Sequence, residues 1–378
     1  MDISRISDSY KLVPIEVKPA QLLLDPSNPR IAEDVESNKS FSLKELCTQQ
    51  VQEYILSVIN KEANHIADLI RGIKSSGFIT GPSDMIVKAV PHTDKFLVLE
   101  GNRRTTALKH LLSQSDSLPA HVMRTFERIQ VKQFTYLPSS DFSEETVVDI
   151  ILGKIHIDGP LPWGALERAH YIYNCYIREL RPGVQRACRF EYVPACADAV
   201  AAMFNFKRVE IRKLLEVYRV YQQLKEQKYG VKTDHYTLID LALSYPRVRD
   251  DYFLFDDNTF HFSLTGLERF NKLCIEEEGA INNPREFRAF RKIVEGGTAY
   301  EIACVENNEQ SIDDILDRVK SRLNNQAFLK NLEEILHKLK GMLVADYRET
   351  KVEAQTIEKI KFLVDQKLWP LAKKKLNE

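Results

Sequence analysis

The chain has 378 residues, with 53 lysines and arginines against 54 aspartates and glutamates, and a net charge of −1. This balance excludes a uniformly basic nucleic-acid binder but allows a local basic face. The composition is that of a globular protein with two or three domains. The six cysteines have no metal-ligand spacing and the N-terminus is too polar for a signal peptide. We therefore expect a cytoplasmic protein that does not span a membrane.

Up to about Tyr136, short apolar runs alternate with amphipathic stretches, which predicts a mixture of strands and helices. Residues 42–60 carry apolar side chains at helical spacing after a serine cap. Residues 137–142 form a turn-rich joint, and a further helix is predicted from Ser143 to Leu152. The sequence DGPLP at 158–162 is the clearest break in the first half of the chain. It predicts a domain boundary.

The most informative stretch is 97–112, which reads LVLEGNRRTTALKHLL. A β-rich apolar run leads through Glu100 into Gly101, and a helix is predicted to open at Thr105 or Thr106. Such a turn offers backbone N–H groups and the positive end of a helix dipole, and arginine adds a planar fork that grips phosphate. The alternative is a solvated arginine pair at a helix start. The strand, glycine and helix favour phosphate binding at Arg103 and Arg104, with Gly101 at positive φ.

This stretch resembles the G-E-R-R box of the ParB family, within the ParB/sulfiredoxin superfamily. The resemblance covers roughly residues 10 to 225, because other segments match the family's elements in order. These are the opening strand with an Asn-Pro-Arg element, a helix ending in a glycine loop, a hairpin leading into the box, and the following strand (15–30, 65–82, 85–90 with 96–99, and 129–134).

The resemblance implies an α+β fold, with a small mixed-sheet domain at 1–158 followed by an all-α region. That region divides into a helical domain with a helix-turn-helix-like module at 159–232 and a C-terminal domain at 233–378. The implied cofactor is CTP or ATP, with or without Mg²⁺. The residues implied to bind the nucleotide are Arg30, Gly77, Gly101, Asn102, Arg103, Arg104, Thr105 and Thr106, and the glycine loop over it spans Gly77 to Gly81.

One departure from the family concerns catalysis. Its EN-x-x-R segment is replaced by ILGKIHIDGPLPWGALERA at 151–169, in which the Glu-Asn pair is absent. Asn102 stands where the box usually has Glu or Cys, and an amide cannot act as a general base at neutral pH. Glu100 is the remaining catalytic candidate. His156 and Asp158 share a face only if the backbone there is extended, which makes a metal pair a minor alternative.

Residues 195–224 have the form of a helix-turn-helix, with an alanine-rich helix, a break at Asn205 and Phe206, and a second helix from about Lys207. Lys207, Arg208 and Arg212 are the candidate DNA-binding residues. The alternative is a helical hairpin whose charges only solvate it. The region beyond 234 is predicted to be helical, with a leucine stripe that suits core packing, a partner helix or a homodimer.

These features lead to one preferred hypothesis, a ParB-like nucleotide-gated switch associated with DNA. The near-neutral charge and the altered EN-x-x-R segment favour a specialised relative, such as a component of a mobile element or of phage defence. The first alternative is an enzyme of the same superfamily, an NTPase, phosphotransferase or nuclease, which would need a carboxylate-metal centre near the arginines. The second is a non-catalytic adaptor whose C-terminal helices bind a protein partner.

Overall fold

The computed structural model describes residues 3–28, 41–60, 63–79, 85–114, 118–138, 142–157, 163–181 and 190–341, together with Lys359 and Phe362. The predicted fold class is confirmed, because a mixed sheet lies in the N-terminal part and helices dominate afterwards. The chain forms two compact units, Met1–Phe287 and Arg288–Glu378. The boundaries at 158 and 232 stay predictions.

The sheet of the first unit has five strands in the order β1-β5-β3-β4-β2. The pairs β1–β5 and β3–β4 are antiparallel, whereas β2–β4 and β3–β5 are parallel. The hairpin and the following strand predicted from the sequence are confirmed. The strand bounds are β1 Tyr10–Val17, β2 Leu22–Leu23, β3 Ile86–Ala89, β4 Phe96–Glu100 and β5 Ile129–Tyr136.

The helices that precede β5 share an apolar core with one face of the sheet. Because strand side chains alternate between faces, Val87, Val98 and Val131 point into this core. Leu108 is fully buried in the same cluster. The helices are α1 Leu43–Leu46, α2 Gln49–Asn60, α3 Ala63–Ser76, α4 Asn102–Leu112 and α5 Ala120–Glu127.

The opposite face of the sheet packs against a second helical layer. Ile86, Leu99 and Phe134 point into this layer and form one cluster with its buried side chains. The sheet is therefore covered on both faces. The C-terminal end of β4 leads directly into α4 of the first layer and also contacts α6 of the second layer. The helices of the second layer are α6 Glu144–His156, α7 Ala165–Leu180, α8 Pro194–Phe204 and α9 Arg208–Glu226.

Between α9 and residue 341 the chain is mainly helical. In the first unit, a single π-helical turn at Arg247–Tyr252 precedes a short hairpin of β6 Phe255–Asp256 and β7 His261–Phe262. The remaining helices are α10 His235–Ser244, α11 Leu264–Cys274, α12 Pro284–Gly296, α13 Ala299–Glu306 and α14 Ile312–Gly341. None of the helices in the described ranges is long and apolar enough to cross a membrane.

Candidate functional site

The junction between β4 and α4 is the candidate site predicted from the sequence. Gly101 separates the two elements and has φ 100° and ψ 19°, so the predicted positive φ is confirmed. A Cβ added at Gly101 would lie 2.6 Å from Met85 Cγ. Glycine is therefore required here both by the left-handed backbone and by the close approach of Met85.

The predicted start of the helix, Thr105 or Thr106, was wrong by three or four residues. α4 begins at Asn102, with Gly101 as its N-cap, and the Gly101 carbonyl accepts from Thr105 N at 2.9 Å. The left-handed glycine turns the chain at once, so the helix needs no side-chain cap at the threonines. Thr105 and Thr106 therefore lie inside the helix instead of capping it, and Arg103 and Arg104 lie in its first turn.

The N-terminal turn of α4 is electropositive. It contains no acidic residue, and no side chain caps it. Arg103 and Arg104 are both half-buried and add two guanidinium charges to the positive end of the helix dipole. This combination of backbone N–H groups, dipole and arginine forks attracts anions.

Two buried hydroxyls follow the arginines in α4. Thr105 and Thr106 are fully buried, and the Oγ1 atom of each has no hydrogen-bond partner in the structure. A buried hydroxyl without a partner costs about 1–3 kcal/mol. The protein therefore retains two unsatisfied polar groups within the first two turns of the same electropositive helix.

Asn102 connects the junction to the loop that follows β2. Its Nδ2 donates to Val98 O at 2.9 Å, and its Oδ1 accepts from Asp25 N at 2.9 Å. The side chain is 5% exposed. Both polar ends of the amide are thus engaged within the protein, and they hold the 25–28 loop beside the start of α4.

Glu100 is held from the other layer by His156, the last residue of α6. His156 Nε2 lies 2.6 Å from Glu100 Oε2, and both side chains are mostly buried. Burial by itself raises the pKa of the Glu100 carboxyl, but the hydrogen bond and charge of His156 outweigh it. The Arg104 charge and the Gly101 N–H act in the same direction, so the pKa of Glu100 is below its ordinary value. Glu100 is therefore ionised and accepts, while His156 Nε2 donates.

His156 also contacts the start of the next helix. Its ring stacks on Trp163 with centroids 4.5 Å apart and an interplanar angle of 18°. Trp163 N donates to the His156 carbonyl at 2.8 Å, and Trp163 lies two residues before α7. The end of β4, the end of α6 and the start of α7 are thereby linked through one histidine.

A cavity of about 380 Å³ opens beside the junction, between β4, α6, α7 and the 25–28 loop. Asp149 lines it, accepts from Tyr171 OH at 3.1 Å, and pairs with Arg178. Burial raises the pKa of the Asp149 carboxyl, against the opposing charge of Arg178. The volume is in the range of small-molecule pockets, and Asp25 belongs both to its lining and to the contact with Asn102.

Of the other residues singled out from the sequence, Gly77 is among the described residues, whereas Arg30, Gly81 and Asp158 are not. Gly77 directly follows α3 with φ 78°, and a Cβ there would lie 2.8 Å from the Thr125 side chain. It thus ends the helix as predicted. Arg30, Gly81 and Asp158 lie outside the described residues, so their predicted roles stay predictions. Within the described ranges, no group of three His, Cys, Asp or Glu side chains could hold a metal ion.

The helix pair α8–α9 has the predicted break, with Asn205 in the left-handed region at φ 56°. Lys207 and Arg208 are exposed at the start of α9. Arg208 pairs with Asp198 at 3.1 Å. Arg212 pairs with Glu216 at 2.7 Å and with Asp257 at 2.6 Å. The helix-turn-helix assignment and its role in DNA binding stay predictions.

Sequence reasoning missed the hydrogen bond between Glu100 and His156, which are 56 residues apart. It also missed the Asp149–Arg178 pair beside the cavity. The absence of the EN-x-x-R segment drew attention to the end of α6. From the sequence, however, His156 was considered only as a metal ligand, and its contact with β4 was not predicted. No local pattern could have identified its partner.

No protein-family model matches the sequence, and no curated protein does. Among solved structures, the chain is similar to the C-terminally truncated chromosome-partitioning protein ParB from Caulobacter crescentus, complexed with CTP-gamma-S. The identity is 12% and the TM-score 0.21, over 60% of this chain and 92% of that chain. It is also similar to the Pnob8-like ParB-N domain, at 10% identity and TM-score 0.36, over 82% of this chain and 98% of that chain. Because these values are low, any functional conclusion depends on the geometry of the chain itself.

Proposed function

We propose that this protein is a ParB-like nucleotide-binding protein in which CTP or ATP binds at the β4–α4 junction. Arg103 and Arg104 contact the phosphates, and the N-terminal N–H groups of α4 surround a phosphate oxygen. Nucleotide binding biases the helical layer between two arrangements, as in other ligand-gated switches.

The observation that carries this proposal is the first turn of α4. A left-handed glycine opens the helix, the turn contains two arginines and no carboxylate, and two buried hydroxyls lack partners. A triphosphate carries several negative charges and several acceptor oxygens, which complement the two guanidinium groups and the backbone N–H groups of this turn. The preference for CTP or ATP comes from the sequence resemblance.

DNA association is the second part of the proposal, through the exposed start of α9. Lys207 and Arg208 support it by their exposure, and the break before α9 is of the helix-turn-helix kind. The adaptor hypothesis is favoured instead if neither nucleotide nor DNA binds.

The test is isothermal titration of the full chain with CTP, ATP and GTP, each with and without Mg²⁺ and duplex DNA. We expect one of the first two nucleotides to bind with micromolar or better affinity. The competing explanation, a solvated arginine pair, predicts no heat with any nucleotide. Release of inorganic phosphate during the same titrations distinguishes a nucleotide-hydrolysing enzyme from a protein that only binds.

A further inference from the structure

The hydrogen bond between Glu100 and His156 lies next to the proposed anion site. Glu100 is the last residue of β4 and Gly101 the N-cap of α4, so the carboxylate stands at the turn itself. The Gly101 N–H and the Arg104 charge both act on this carboxylate. His156 Nε2 supplies its hydrogen bond from the helical layer, at 2.6 Å.

A purely stabilising role explains this arrangement poorly. A buried polar pair is weak evidence for stability, because apolar residues of similar volume often replace such pairs at no cost. Moreover, His156 Nδ1 and Trp163 Nε1 are both buried with no hydrogen-bond partner. A purely structural contact has no reason to leave these two polar atoms, one on His156 and one on its neighbour Trp163, without partners.

We infer that His156 is a positioning residue for the anion site, and that it couples this site to the start of α7. This inference rests on the proposed nucleotide function. His156 holds the Glu100 carboxylate at the end of β4. It thereby fixes the backbone turn at Gly101 and the position from which the carboxylate attracts the Arg104 guanidinium.

The coupling passes through Trp163. The His156 ring stacks on the indole, and the His156 carbonyl accepts from the Trp163 backbone. A shift of Glu100 when an anion reaches Arg104 therefore moves a ring that is in contact with the segment before α7. Since α7 packs against α8 and α9, this is a continuous route from the junction to the helix pair.

Two matched variants separate the effect of the hydrogen bond to Glu100 from the effect of the ring that stacks on Trp163. His156→Phe keeps a ring against Trp163 but removes the donor to Glu100, whereas His156→Gln keeps a donor near the Nε2 position but removes the ring. The expected loss is about tenfold in affinity, which corresponds to about 1.4 kcal/mol, because the turn that holds the arginines is no longer fixed. We expect CTP to bind His156→Phe about tenfold more weakly than wild type, and His156→Gln to recover most of the affinity.

Because His156→Phe leaves a buried carboxylate without its donor, it can fail to fold. The double variant Glu100→Met with His156→Phe removes both groups and avoids that penalty. We expect it to fold, as judged by circular dichroism, and to bind CTP as weakly as His156→Phe or more weakly. Wild-type affinity in the folded double variant overturns the inference.

The coupling is read from Trp163 fluorescence in a Trp369→Phe background, since the chain has two tryptophans. We expect CTP to change the Trp163 emission, and no change despite binding overturns the coupling. If His156→Gln binds as weakly as His156→Phe, the positioning role is wrong while the proposed function stands. If the wild type binds no nucleotide in the titrations, the proposed function and this inference fall together.

Discussion

The N-terminal turns of α4 and α9 were predicted from the same pattern, basic residues at a helix start. In the structure, the two turns differ in their capping and in the carboxylates that lie near them. In α9, Glu210 accepts from Lys207 N at 2.7 Å and closes a capping box. In α4, the first turn has no carboxylate and no side-chain cap. The carboxylate that directly precedes that turn, Glu100, is already engaged by His156.

The basic residues of α9 have carboxylate partners in the chain. Arg208 and Arg212 of α9 each pair with carboxylates of the chain, and Lys213 pairs with Asp240 at 2.9 Å. Basic residues at a helix start therefore do not by themselves make an anion site. At α9 the carboxylate of Glu210 lies within the first turn itself, whereas at α4 the nearest carboxylate, Glu100, precedes the turn and is hydrogen-bonded to His156.

The largest expected effect is on nucleotide binding by the arginines of α4. Arg103→Ala with Arg104→Ala should abolish measurable CTP binding, because each guanidinium contributes about 1.5–3 kcal/mol through charge-assisted hydrogen bonds. Arg→Lys at either position should restore only part, since lysine cannot bridge two phosphate oxygens. Isothermal titration measures both. Arg128→Ala, at an arginine that is 66% exposed, is the matched control and should bind as wild type.

The second effect tests whether the left-handed turn is required. Gly101→Val should lower the melting temperature and weaken CTP binding, because the residue acquires an unfavourable φ and its Cβ meets Met85. The backbone strain costs about 1–3 kcal/mol and overpacking a similar amount. Gly72→Ala is the control, since nothing lies within 4 Å of its Cβ position. Equal melting temperatures for the two variants would contradict the geometric requirement.

The third effect concerns DNA binding by α9. Replacing Lys207, Arg208 and Arg212 with Ser should reduce the slope of log K against log salt by about 0.9 for each phosphate that is no longer neutralised, up to about three units. Since both arginines have carboxylate partners, we expect Lys207→Ser alone to account for the largest share. Mobility shifts at several salt concentrations measure the slopes. No shift for wild type, with or without nucleotide, favours the adaptor hypothesis.

The smallest effect tests the comparison directly. Glu210→Gln removes the charge of the α9 capping box, which should lower the free energy of unfolding by about 0.3–1 kcal/mol. It should also strengthen DNA binding at low salt, because a carboxylate no longer repels phosphate at the start of α9. Urea unfolding and mobility shifts provide the two readouts. Weaker DNA binding with an intact fold would show that Glu210 does not restrict this helix terminus.

Local patterns predicted the strands, the helices and the turn at Gly101 well. The period of apolar residues and the glycine between β4 and α4 are short-range signals, so they can be read without a partner segment. The start of α4 was misplaced at Thr105 or Thr106 because threonines are common N-caps. The left-handed glycine made that cap unnecessary, which a sequence pattern alone does not distinguish.

The sequence by itself therefore determined where the arginines of the candidate site stand, because Gly101, Arg103 and Arg104 lie within four residues of one another at the joint of the strand and helix that hold them. Only the tertiary structure decided which distant partners the charged and polar side chains meet. Glu100 meets His156 from 56 residues away, and Arg212 meets Asp257 from 45 residues away. Such pairs depend on how layers pack, and electrostatic energy depends on distance in space and on burial, neither of which is encoded in the spacing of residues along the chain.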